Sequence, residues 1–226
     1  MIDIHSHILP LVDDGSKSLD DSLTMLRNLK KIGVKDVVLT PHNRGIYLCS
    51  KGQLKKEFEK FKKASASIGI NLYLGQEIYY NDSTLEKLKS GELLTINNSK
   101  YVLLEFGVDN VSEIVEFTYL VKKAGFIPII AHPERYKSLD SFDIEEIKSV
   151  GGLIQINASS IINGSFSTRR MVKKLLKLKL VDFIASDIHF NRKLVLDKAK
   201  KYVSKKFGKE MADVLFELNA KEILKG

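Results

Sequence analysis

The chain has 226 residues, a formal charge of +8, 44% hydrophobic and 28% charged content, and a single cysteine. That length suits one α/β domain with a full core, expected to span residues 1–226. No apolar run approaches a membrane span, and with a strand at the start of the chain a cleaved signal peptide is not expected. A lone Cys49 excludes an internal disulfide and fits a reducing cytoplasm. Much of the basic excess is lysine on helical stretches such as Lys55, Lys56, Lys60, Lys62 and Lys63, where a solvated face is the plainer reading. No compact basic run interleaves with aromatics, so nucleic acid is not expected as a partner. The excess does favour a phosphorylated or otherwise anionic one.

In chain order the pattern is strand, loop, helix, repeated. Ile2 and Ile4 alternate with polar positions, as in a strand, until Pro10 and Gly15 open a loop. Ser18 is placed to cap a helix with Leu23, Leu26, Leu29 and Ile32 on one face, ending at Gly33. Strand 37–40 leads into a loop over 42–52, then a Lys-rich helix over 54–68. Strand 71–76 and a short helix over 83–90 follow. Strand 101–104 precedes a helix capped by Ser112, and strand 127–131 a helix over 142–149. Strand 152–156 leads to a helix over 168–177, and strand 182–185 to helices over 193–207 and 210–225. Seven short, β-branched strands alternating with helices imply parallel pairing with both faces buried. A barrel fits better than an open sheet, because polar residues follow strand after strand and a barrel gathers those ends on one rim.

Those polar residues carry the chemistry. His5 and His7 are two apart on the opening strand, so they project from one face about 7 Å apart along the backbone. His42, His132 and His189 each follow another predicted strand, so none of the five histidines lies on a helix. Asp13 and Asp14 in the first loop can fold back over the same site. Glu77, Glu105, Arg135 and Asp187 also sit at strand ends. Nitrogen and oxygen donors without thiolate point to manganese, iron or zinc, and the set is large enough for two or three divalent ions. Such clusters hydrolyse phosphate esters by generating hydroxide at neutral pH and offsetting charge on the attacking and leaving oxygens.

Other residues admit plainer roles. Cys49 lacks the arginine six positions on that a cysteine phosphatase needs, since Lys55 stands there, so an inert thiol is expected. Arg44 either touches phosphate or is solvated, with solvation favoured. One of Tyr79 and Tyr80 is expected to pack the rim. Asp3, in phase with His5, is either its hydrogen-bond partner or a buried carboxylate held by backbone. Asn157 and Ser159 are candidates for lining the pocket.

Six motifs in order then become specific: Met1 to His7 with Asp13-Asp14-Gly15; Thr40-Pro41-His42; Gly75 to Tyr80; Leu104-Glu105-Phe106; Ala131 to Tyr136; and Ala185 to His189. Together they resemble the PHP (polymerase and histidinol phosphatase) superfamily, and within it the metal-dependent tyrosine phosphatases of bacterial capsule and exopolysaccharide clusters. The resemblance implies a distorted (β/α)7 TIM-like barrel of the PHP type. It implies one ion on His5, His7, Glu77 and Asp187, a second sharing Glu77 with Glu105 and His132, and a third on Asp14, His42 and His189. Arg135 matches one phosphate-gripping arginine of that family. Arg192 is the candidate for the other, in a loop shorter than usual and without the usual proline. His42 or Asp14 is placed to lie near the leaving phenolate. The implied substrate is a phosphotyrosine protein, namely a tyrosine kinase of polysaccharide synthesis. Alternatives are a small-molecule phosphatase such as histidinol phosphatase, a catalytically silent regulatory protein that keeps the barrel, and a nuclease. Oligomeric state is left open.

Overall fold

In a computed structural model, which describes residues 1–107 and 111–225, the chain forms nine strand segments: β1 (Ile2–Asp3), β2 (Asp36–Leu39), β3 (His42–Asn43), β4 (Asn71–Leu74), β5 (Glu77–Tyr79), β6 (Tyr101–Glu105), β7 (Ile127–Ala131), β8 (Leu153–Asn157) and β9 (Phe183–Ala185). All pairings are parallel, in the orders β1-β2-β4 and β3-β5-β6-β7-β8-β9. Two of the expected strands resume, after a break, as a second short segment beyond their expected ends. Pro41, which has no N–H to give, separates β2 from β3, so the loop expected from His42 opens with a strand instead. Gly75 and Gln76 separate β4 from β5. The pieces remain linked, since Gly75 N–H donates to Leu39 O (2.8 Å) and Glu77 N–H to Pro41 O (3.1 Å). Counting each split strand once leaves seven staves. The ring closes where Asp187 N–H donates to His5 O (2.9 Å) and His7 N–H to Ile188 O (3.0 Å), beside a parallel bridge between Ser6 and Ile188. The result is a distorted barrel of the expected kind.

Between the strands run α1 (Leu19–Lys31), α2 (Lys51–Ala64), α3 (Thr84–Lys89), α4 (Val111–Lys123), α5 (Ser141–Ser149), α6 (Ala158–Ile162), α7 (Phe166–Lys177), α8 (Leu196–Phe207), α9 (Lys209–Asp213) and α10 (Asn219–Leu224). Ser18 caps α1 as expected, its hydroxyl accepting from Asp21 N–H (3.1 Å). The helix expected to be capped by Ser112 already includes it, and the residue before Val111 lies outside the described residues. The Lys-rich helix ends at Ala64, and a 3-10 turn carries the chain to Gly69, whose φ of 71° only glycine adopts without cost. A short helix, α6, follows β8 at once, which the sequence pattern did not signal.

Two apolar layers hold the barrel. The larger lies between sheet and helices and includes Leu26, Leu29, Leu54, Phe61, Leu104, Ile130, Ile154 and Ile184. The second gathers Ile2, Ile4, Val38, Leu103, Ile129, Ala131, Phe183 and Ala185, with Ile96 and with Ala220 and Ile223 of α10 against them. Side chains two apart on a strand share a face. Stepping from Leu103 to Glu105, or from Ala185 to Asp187, therefore leads from this plug to the polar mouth above it.

Candidate metal centre

His5 and His7 are fully buried, with their Nε2 atoms 3.2 Å apart. Each ring is fixed from behind. His5 Nδ1 meets Gln155 Oε1 at 2.9 Å, and the same amide donates through Nε2 to Asn157 Oδ1 (2.9 Å). Asn157 Nδ2 donates in turn to Asp187 Oδ2 (2.7 Å). His7 Nδ1 meets Asp13 Oδ2 at 2.7 Å. Assigned this way, both Nδ1 atoms carry hydrogen and both Nε2 lone pairs face inward. Two lone pairs so close repel unless a proton or a cation lies between them.

Glu77 on β5 stands in the middle. Oε1 lies 3.2 Å from His5 Nε2 and 2.9 Å from His132 Nε2; Oε2 lies 3.2 Å from His7 Nε2 and 2.7 Å from His42 Nδ1. Asp187 Oδ1 lies 3.7 Å from His5 Nε2, 3.4 Å from His7 Nε2 and 3.6 Å from His189 Nδ1. Asp14 Oδ1 lies 3.4 Å from His42 Nε2 and 3.5 Å from His189 Nε2. Glu105 Oε2 is 3.9 Å from His42 Nδ1, and Oε1 is 3.9 Å from His132 Nε2. The fold thus brings nine expected donors into one basin.

They overlap instead of dividing cleanly into the three expected sets. Four close groups form: His5, His7 and Asp187; His5, Glu77 and His132; His42, Glu77 and Glu105; and His7, Asp14, His42 and His189. Each oxygen of Glu77 faces two histidines, which is why it enters two groups.

Whether these residues suit cations is tested by their unmet bonding. Asp14 Oδ1, His42 Nδ1, Glu77 Oε2 and His189 Nε2 are buried without a hydrogen-bond partner. His42 Nδ1 and Glu77 Oε2 are close but not aligned for a hydrogen bond. Buried polar atoms are ordinarily satisfied, so several orphans pointing into one basin fit divalent ions. Without cations the charges balance through protons. Burial alone would lower His5, but Glu77 and Asp187 raise it to about 9. His7, also desolvated, is raised well above its ordinary value by Asp13, Asp187 and Glu77. Glu77 and Asp187 resist burial and stay well below the carboxylate range, chiefly through the charge of His5. His189 is pushed down to about 4 by burial and the neighbouring charge of His7.

Local backbone geometry aims the donors. His132 and Asp187 have φ of 36° and 48°, left-handed values that non-glycine residues adopt at a cost. His132 N–H donates to Gln155 O (2.8 Å) and Asp187 N–H to His5 O, which hold these kinks in place. Gly15 permits the first loop to fold back: a Cβ there would come 2.1 Å from His7 O.

Three arginines ring the mouth. Arg192 Nη1 donates to Asp187 Oδ2 (2.9 Å) and Arg135 Nη1 to the same oxygen (3.4 Å), both about half exposed. Arg44, expected to be solvated, instead donates to both oxygens of Glu105 (3.2 and 3.1 Å), because β3 turns it toward β6. Asp3 takes the plainer of its two roles. Its Oδ1 accepts from Ser186 N–H (2.9 Å) and burial pushes it up to about 6, while Gln155 holds the His5 ring. Gln155 was missed, although it stands two residues before Asn157 on the same strand face. Asn157 braces Asp187, and Ser159 lies within α6. Tyr80 packs on Phe106 and Phe117. Cys49 is a half-buried loop thiol that burial pushes up.

The profile of capsular polysaccharide synthesis proteins CpsB/CapC matches residues 1–225. The chain belongs to the CpsB/CapC family. It is 36% identical over 239 residues to the tyrosine-protein phosphatase CpsB of Streptococcus agalactiae serotype III, covering 100% of this chain and 98% of that one. The crystal structures of YwqE from Bacillus subtilis and CpsB from Streptococcus pneumoniae, described as unique metal-dependent tyrosine phosphatases, supply a match with TM-score 0.93 and 30% identity. It covers 100% of this chain and 94% of the other. A lactonase from Listeria monocytogenes, Lmo2620, superposes with TM-score 0.66 at 13% identity over 99% of this chain and 94% of its own, which shows the shared barrel alone. The family is the one that the six motifs resemble.

Proposed function

We infer that this CpsB/CapC chain is a metal-dependent protein tyrosine phosphatase. The observation that carries the reading is the facing pair of His5 and His7 Nε2 atoms, 3.2 Å apart, with Glu77 against both rings. Its relatives CpsB and YwqE are described as tyrosine phosphatases. Two or three divalent ions, of manganese, iron or zinc, would be held by His5, His7, Asp14, His42, Glu77, Glu105, His132, Asp187 and His189. When bound, such ions lower the pKa of water and neutralise charge on phosphoryl oxygens.

The chain's own residues do the rest. Arg135 and Arg192, half exposed above the buried donors, grip the phosphoryl oxygens and offset charge as it grows. The donors lie buried beneath the rim, so the phosphoryl group must descend to reach them, which suits a long aryl ester. A phenolate leaving group, with a pKa of about 10, needs little proton donation. On this reading His42 or Asp14 lies near the leaving oxygen.

The substrate on this reading is a phosphotyrosine protein, a tyrosine kinase of capsule or exopolysaccharide synthesis. Residues 1–226 act as one domain in the cytoplasm, and no described helix is long and apolar enough to cross a membrane. His5→Ala and Glu77→Ala should each cut hydrolysis of p-nitrophenyl phosphate and of a phosphotyrosine peptide at least 100-fold, with loss of bound metal by elemental analysis. Near-normal turnover in chelator-treated buffer would sink the reading. Faster turnover of histidinol phosphate than of the peptide would favour a small-molecule phosphatase.

A further inference from the structure

Although α2 is also lysine-rich, as the sequence suggests, the net positive charge of the chain is concentrated in a later stretch. Residues 165–209 hold fourteen Lys and Arg against three Asp and Glu, a charge of +11, while the remaining 181 residues together carry −3. Of those three acids, Asp187 is buried in the basin and Asp182 is paired with Lys148, which leaves Asp197. α7 carries five cations, Arg169, Arg170, Lys173, Lys174 and Lys177, and no carboxylate. None of the five is in an ion pair among the described residues, and all are exposed. On α8, Lys200 and Lys201 reach Asp213 and Asp197, whereas Lys198, Lys205 and Lys206 have no such partner among the described residues. An ordinary solvated helix interleaves charges of both signs, as Glu57 and Lys60 do on α2. These two do not.

The two helices border a trough. Arg169, Lys173 and Tyr202 line a hollow of about 230 Å3 floored by Ile161 and Ile162 of α6. Further down the pair, Leu176 and Phe207 line a larger hollow of about 710 Å3, where Lys179 and Lys209 stand beside Asp182 and Glu210. At its upper end the basic stretch reaches the metal basin, because Arg192 and Lys193 lie between β9 and α8 and Arg192 touches Asp187. Beyond α7 it is bounded by α5, with Glu145 and Glu146 on the helix and Asp140 capping it.

We propose that the trough between α7 and α8 holds an extended acidic stretch of the same phosphoprotein whose phosphotyrosine enters the basin. The proposal rests on the phosphatase reading. Charge complementarity selects the occupant, and continuity with Arg192 fixes where its reactive tyrosine goes. An anionic lipid surface is the competing partner for a basic face. It would be better served by apolar side chains among the lysines, but Phe166 and Leu178 stand only at the two ends of α7.

The test compares the wild type with a variant carrying R169E, K173E, K198E and K205E, none of them at the basin. The substrates are p-nitrophenyl phosphate and two phosphotyrosine peptides, one with a run of Asp and Glu to one side and one with Ser and Gly there. In the variant, KM for the acidic peptide should rise about ten-fold with kcat held, and turnover of p-nitrophenyl phosphate should not change. Raising salt from about 50 to about 300 mM should weaken wild-type kcat/KM for the acidic peptide more than for the neutral one. Equal KM values for the two peptides in the wild type would overturn the proposal. So would an unchanged KM in a variant that has lost sedimentation with phosphatidylserine vesicles, which would assign the face to lipid. If the variant loses p-nitrophenyl phosphate turnover through misfolding, the wild-type salt series decides, and equal slopes refute the trough. If the wild type hydrolyses no phosphoester, the phosphatase reading fails instead. The trough is then judged by fluorescence anisotropy of the unphosphorylated acidic peptide, which must bind the wild type more tightly than the variant.

Discussion

Gln155 is the residue on which the orientation of His5 depends. Its amide accepts from the His5 ring and donates to Asn157, so a single side chain couples a histidine donor to the brace of Asp187. Gln155→Leu keeps the size but removes both bonds. Outer partners of this sort are typically worth 10–100-fold in metal affinity; a loss in that range, read by metal titration, is expected, and no loss would show the bond to be incidental. Protonation acts at the same scale. In the metal-free protein the raised His5, at about 9, holds a proton that a cation must displace. Metal affinity should therefore climb with pH up to about 9 and then level off. The same raised value gives the metal-free fold stability that is full below about 6.5 and lost as pH rises through about 9. Calorimetry of metal binding in buffers of different ionisation enthalpy should register proton release at pH 7.5.

The first loop is the element that converts a strand into a site. It begins after His7, turns at Gly15, and returns Asp13 to the His7 ring while Asp13 also accepts from Gly15 N–H (2.9 Å) and His42 N–H (3.1 Å). Asp13 is accordingly held down at about 2, burial being outweighed by His7. Gly15→Ala would push a methyl against His7 O and Cβ. Because that obstacle is backbone, it cannot swing aside, and overpacking of this kind costs about 1–3 kcal/mol. The expected outcome is a lower melting temperature together with at least ten-fold weaker metal binding. A drop in melting temperature with unchanged metal content would separate the loop's folding role from its role in orienting His7.

At the scale of the molecule, the barrel and its ions are expected to stabilise one another. Nine donors come from the six motif stretches of the chain, and those stretches meet only when the ring closes at His5 and Asp187. Cations that bind the folded state alone add stability by mass action, about 2.7 kcal/mol at a hundred times the dissociation constant. Stripping metal with a chelator should lower the melting temperature by several degrees in the wild type, and by much less in Glu77→Ala, which has little metal to lose. Equal shifts in both would place the chelator's effect elsewhere.

The sequence by itself determined the main alternation of strands and helices, though not α6 or β3, the parallel pairing that this alternation demands, and the candidate donors, since histidine and carboxylate at strand ends are legible from period and position. His5 and His7 could be read as a pair because two residues along a strand is a local relation. The family resemblance rested on the same short motifs. What only the tertiary structure decided are relations between distant stretches. Gln155 behind His5, 150 residues away, leaves no periodic trace. Neither do the turn of Arg44 onto Glu105 or the way Glu77 serves four histidines at once. The splitting of two staves at Pro41 and Gly75-Gln76 depends on barrel curvature, which no single strand encodes. Hydrophobic periodicity reports which face of an element is buried; which polar groups meet across a closed ring is settled when the ring closes.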